Sequence, residues 1–71
     1  RLVYQIRDGA GRTLLRSSNA PPALDAVPLR EGLVDAGDWR VATVHDANAQ
    51  RYVQLADPLR ERRDAATGLW P

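Results

Sequence analysis

Residues 2–7 alternate, with Leu2, Tyr4 and Ile6 on one side and Val3, Gln5 and Arg7 on the other, a period of two that predicts a β-strand. Asp8-Gly9-Ala10-Gly11 supplies residues that tolerate positive φ, and a second strand over 12–17 places Leu14 and Leu15 on opposite faces. The two strands form a hairpin. If Arg7 pairs with Arg12, Ile6 lies opposite Thr13 and Tyr4 opposite Leu15, giving one apolar face and one mixed face that carries Val3, Leu14 and the arginines.

The periodicity then breaks. Residues 17–31 hold three of the five prolines, which predicts a long connection packed by its own Leu24, Val27 and Leu29, with room for one helical turn around Leu24. Gly32 to Asp35 reads as a short strand that Ala36-Gly37-Asp38 turns back into a strand from Trp39 to Asp46, and residues 47–50 turn that strand into a last one from Arg51 to Ala56. Asp57 followed by Pro58 is a helix start signal, a side-chain cap and then a first-turn proline. In the predicted helix, Leu59, Ala66, Leu69 and Trp70 fall near one face and Arg60, Glu61, Arg62, Arg63 and Asp64 cover most of the rest.

The order of elements predicts an α+β domain, a small antiparallel sheet of about five strands with a C-terminal helix. A small closed barrel is the structural competitor. Seventy-one residues make one domain of marginal stability, without cysteines to cross-link it or a Cys/His cluster to hold a structural zinc. Ten arginines face nine carboxylates and there is no lysine, so the near-zero net charge gives no electrostatic reason to expect nucleic-acid binding. No run of about 20 apolar residues occurs. The chain opens inside a strand and stops at Leu69-Trp70-Pro71, which reads as part of a longer protein.

Candidate chemistry is sparse. His45 is the sole histidine, and by alternation it shares a face with Trp39, Val41 and Thr43, as a rim histidine or as a functional one. No nucleophile, base and orienting group come together in the sequence, so no catalytic residue is assigned. Asp35 with Asp38, and Glu61 with Asp64, are the paired carboxylates. Hard cations take six or more oxygens, and ion pairing with neighbouring arginines is the simpler reading, so neither a metal nor any other cofactor is expected.

The set Val3-Tyr4-Gln5-Ile6 with Asp8 and Gly11, Leu14-Leu15-Arg16-Ser17, Ala20-Pro21, Gly32, Trp39-Arg40-Val41, Gln54, and Leu59 with Glu61-Arg62 spans nearly the whole chain. In order and spacing it resembles the extracytoplasmic N-terminal sensor domain of two-component sensor histidine kinases of the QseC and TctE kind. The resemblance implies a PAS-like sheet in the periplasm, part of an inner-membrane protein that forms a homodimer, phosphorylates a histidine from ATP and passes the phosphoryl group to a cognate response regulator. It also implies a helix before strand one that packs on the sheet and is not in this sequence, so that one sheet face is left under-covered. Val3, Leu14 and the edge strand are the exposed positions expected to drive self-association there. A ligand pocket would lie between the concave face and the connection from Ser18 to Glu31, lined by Tyr4, Trp39, Arg40, His45 and Tyr52. His45 would then be a candidate pH-sensing group, the C-terminal helix would relay the signal to the second membrane span, and Trp70 would either mark the membrane boundary or pack on the domain's own core. The Glu-x-x-Glu iron motif of some related sensors is absent, since Asp64 replaces the second glutamate. The competing reading is a module of the same kind of receptor that binds no small molecule and serves dimerisation or a protein partner.

Overall fold

The computed structural model describes residues 2–59. Five strands form one antiparallel sheet: β1 Val3–Asp8, β2 Thr13–Arg16, β3 Gly32–Ala36, β4 Trp39–Asp46 and β5 Arg51–Pro58, in the spatial order β2-β1-β5-β4-β3. The first and last strands lie side by side in the interior, and among the described residues β2 and β3 are the unpaired edges, so these five strands form an open sheet rather than a closed barrel.

The β1–β2 register differs from the one expected. The Asp8 carboxylate accepts hydrogen bonds from the amides of Ala10 and Arg12, both at 2.9 Å, and this closes the loop over three residues. Arg7 therefore pairs with Thr13, and a bulge then brings Leu15 opposite Ile6 and leaves Ser17 opposite Tyr4. The Ser17 hydroxyl accepts from the Tyr4 amide at 3.0 Å and so supports the ladder at its end. At the other hairpin, Ala36 faces Trp39 across a two-residue turn whose first position, Gly37, has φ of 59°. The loop after β4 is held by the Asp46 carboxylate, which accepts from the Asn48 and Ala49 amides, and it ends with Gln50 at φ of 54°. A left-handed non-glycine residue is strained, and Gln50 is exposed, so Gln50→Gly is expected to stabilise the domain by about 0.5–1 kcal/mol in urea denaturation.

β5 runs two residues beyond its expected end. Asp57 and Pro58 stay in the strand, paired with Arg40 and Trp39; Leu59 is the first helical residue, two positions later than expected, and its amide donates to the Asp38 carbonyl at 2.8 Å. Hydrogen-bonded and non-bonded pairs alternate along an antiparallel ladder, so the nitrogen of Pro58 points away from β4, toward a stretch where β1 has not begun. The missing donor costs nothing there. The remainder of the expected helix, with Ala66, Leu69 and Trp70 and the charged positions 60–64, lies outside the described residues.

The connection between β2 and β3 contains a short 3₁₀ helix, Pro22–Ala26, where a helical turn was expected, and it covers one face of the sheet. Leu24 and Val27 are buried there against Val3, Val41 and Ala56, with Ala20, Ala36 and Trp39 packed around them. The covered face is the mixed one, contrary to the expectation that Val3 would be exposed. The reason is visible at Arg7. Its guanidinium lies beneath the connection, donating from Nη1 to the Val27 carbonyl at 2.9 Å and from Nε to the Gly11 carbonyl at 3.1 Å. A buried cation must have its donors met, and the carbonyls of the connection and of the hairpin loop meet them. Gly11, at φ of 91°, leaves room for this approach, since a β-carbon there would sit 3.4 Å from Arg7 Nη2.

Candidate functional site

Residues directly opposite in an antiparallel ladder share a face, so the register assigns every strand position to one of two surfaces. On the covered face a polar row crosses three strands. Gln5 Nε2 donates to Gln54 Oε1 at 3.3 Å, and Gln54 Nε2 donates to Thr43 Oγ1 at 3.2 Å, all within the buried interior. The Gln5 Oε1 atom ends the row without a partner among the described residues. Nothing in the sequence marks this row, because two glutamines and a threonine 11 and 49 residues apart meet only through the register.

The five expected pocket residues do not converge. Tyr4 and Arg40 lie on the open face, while Trp39, Tyr52 and His45 belong to the covered side. Trp39 is half-buried against the core and fills space rather than lining it. His45 and Tyr52 stack at the far end of the sheet, ring centroids 4.4 Å apart and planes 18° from parallel, with the histidine exposed. The His45 amide donates to Glu31 Oε2 at a long 3.4 Å. Leu24 and Val27 occupy the volume beneath the connection that the expected pocket required.

Arg40 is engaged by the neighbouring strand. Its Nε donates to Asp35 Oδ1 at 2.9 Å and its Nη2 to Asp35 Oδ2 at 3.4 Å. The hydrogen bond from Arg40 holds the Asp35 carboxyl below its ordinary range, and the same bond raises the arginine. Asp35 therefore spends its carboxylate on Arg40 rather than on a site shared with Asp38. Glu61 and Asp64, the other paired carboxylates, lie outside the described residues.

The open face is where the structure has most to offer a partner. Tyr4, Ile6, Leu15, Ala42, Val53 and Leu55 form its centre with Leu2, Leu33 and Val44, and nothing among the described residues covers them. Leu2 is 64%, Leu15 52%, Leu33 70% and Val44 54% exposed, figures that belong to a surface rather than a core. A shallow groove of about 330 Å³ crosses this face, lined by Leu2, Leu33, Arg40, Ala42, Leu55 and Asp57. Leu14, expected as an apolar contact, sits at the bulge of edge strand β2, opposite neither face's centre. Apolar surface of this extent, left uncovered by the described residues, is the kind of surface that association sites present.

Set beside known proteins, the chain matches no family model, no curated sequence and no solved structure.

Proposed function

We propose that this domain is the extracytoplasmic, periplasmic domain of an inner-membrane two-component sensor histidine kinase, and that it works by protein association through the open face of its sheet. The observation that carries the association mode is the division of the two faces. The side beneath the connection is filled by Leu24, Val27 and the glutamine row, whereas no described residue covers the apolar side. The sensor reading itself draws on the sequence resemblance, with further support from the strand order. Five antiparallel strands in the order 2-1-5-4-3, with a long connection laid over one face, fit a PAS-like sheet. β5 leads directly into the segment that would carry the output. A signal in such a receptor acts only if it binds two arrangements with different affinity, and the association of sheet faces offers two such arrangements.

Two measurements test this reading. In a thermal-shift screen against organic acids, catechols, divalent and ferric ions across about pH 5–8, no compound is expected to raise the melting temperature in a dose-dependent way. A compound that does so would replace association with direct ligand sensing. The full-length protein, reconstituted in a bilayer with ATP, is expected to form acid-labile phosphohistidine, and its absence would remove the kinase reading.

A further inference from the structure

Asp8-Gly9, where β1 passes into the hairpin loop, is the one place in the sequence where an aspartate is followed by glycine. That pair has a chemistry of its own. The amide nitrogen of the second residue attacks Cγ of the aspartic acid, a C–N bond forms, and the carboxyl hydroxyl leaves with the amide proton as water, giving a cyclic imide. Water then reopens the ring at one of its two carbonyls. Opening at the former backbone carbonyl leaves the main chain running through Cγ, an isoaspartate of unchanged mass. Asp57-Pro58 has no amide proton to lose, and a bulky Trp39 follows Asp38.

At Asp8-Gly9 the nucleophile is open. Gly9 is exposed, a β-carbon on it would meet nothing within 4 Å, and its amide makes no hydrogen bond among the described residues. The carboxyl is the part that is held. Asp8 Oδ1 accepts from the Ala10 and Arg12 amides, both at 2.9 Å. The main chain of Asp8 is tied as well, its amide donating to the Arg12 carbonyl at 2.9 Å and its carbonyl accepting from the Gly11 amide at 3.0 Å. Turning Cγ toward the Gly9 nitrogen requires the side-chain bonds to break.

We propose that Asp8-Gly9 is an isomerisation site that the hairpin loop holds shut, and that its conversion to isoaspartate frees Arg7. The product inserts a methylene into the main chain just before Gly9 and moves the carbonyl that the Gly11 amide bonds. Gly11 is also the residue whose own carbonyl accepts from Arg7 Nε at 3.1 Å. It cannot keep both contacts once the loop is longer by one carbon. A buried guanidinium is then left an acceptor short, and the connection it holds at the Val27 carbonyl loosens with it. This inference does not depend on the association reading, since the loop lies at the end of the sheet rather than on its open face.

The test compares the domain with a synthetic peptide of residues 5–15, which carries the same bond without the connection and the neighbouring strands that hold the hairpin. Both are kept at neutral pH and physiological temperature, and isoaspartate is located by peptide mapping with electron-transfer fragmentation, which separates isomers of equal mass. The folded domain is expected to accumulate it about tenfold or more slowly than the peptide, the factor that breaking one charge-assisted hydrogen bond supplies. Gly9→Ala places a β-carbon in open space at a residue without positive φ, so the fold is kept, and the product should fall in domain and peptide alike because the nucleophile is hindered. Wild-type chain isomerised in urea, refolded and separated by chromatography should unfold at a lower urea midpoint than its unmodified parent. A domain that isomerises as fast as the peptide would overturn the gating, and isoaspartate formed mainly at another residue would overturn the site. An isoaspartate fraction with the parent's midpoint would overturn the link to Arg7.

Discussion

Leu24→Ala is expected to leave the domain largely unfolded at room temperature. Leu24 is fully buried, and among the described residues the buried apolar core it belongs to contains only Val3, Val27, Val41 and Ala56 besides. Truncating a buried leucine costs about 2–5 kcal/mol through lost transfer energy and the cavity left behind, and a core of this size supplies no more than about 3–5 kcal/mol of net stability. The connection cannot collapse into the gap easily. It is tied down by the Val27 carbonyl on Arg7 and by the Leu24 carbonyl, which accepts the Val27 amide at 3.2 Å. Circular dichroism in urea would report the loss directly, and Leu24→Met, which keeps the volume, should cost less than about 1.5 kcal/mol. An Ala variant with an unchanged midpoint would mean that the connection does not hold the covered face.

The same residue explains what could and could not be read from the sequence. Strand positions, the turns at Gly37 and after Asp46, and the helical turn at Leu24 follow from local patterns, and the structure has them. The choice of covered face does not, because β1 presents apolar residues on both sides, Leu2, Tyr4 and Ile6 on one and Val3 on the other. That choice is made by Arg7, whose acceptors come from residues 11 and 27, and no local rule connects them. Asp57-Pro58 places the helix start two residues too early for a related reason. A residue without an amide donor fits the first turn of a helix, and it fits equally well at the end of a strand whose neighbour has stopped. The choice between them lies with Trp39, the first residue of β4, and with Asp38 in the turn before it. The expected pocket failed with the face assignment, since Tyr4 and Arg40 could share a site with Trp39, His45 and Tyr52 only if the register placed all five on one surface.

Gln54→Leu is expected to destabilise the domain by about 3–5 kcal/mol even though it adds apolar character to the interior. Gln54 is the middle of the buried row, accepting from Gln5 and donating to Thr43. Its removal leaves the Gln5 amide with neither donor nor acceptor matched and takes the partner from the Thr43 hydroxyl, and each buried polar group left unpaired costs about 1–3 kcal/mol. The row already carries one such cost at Gln5 Oε1. Replacing the whole row, Gln5→Leu/Thr43→Val/Gln54→Leu, removes every polar atom together and is expected to return stability to the wild-type level or above it. A row that adds no net stability still acts on specificity. Its two hydrogen bonds form only when β1, β5 and β4 are in the observed register, and a slip of one residue would exchange the covered face for the open one. The triple variant should therefore unfold with a higher urea midpoint but a less cooperative transition and broadened amide resonances, while the single Gln54→Leu variant should lose midpoint alone. Equal stability of the single variant and the wild type would show that the row is not held together by hydrogen bonds in the interior.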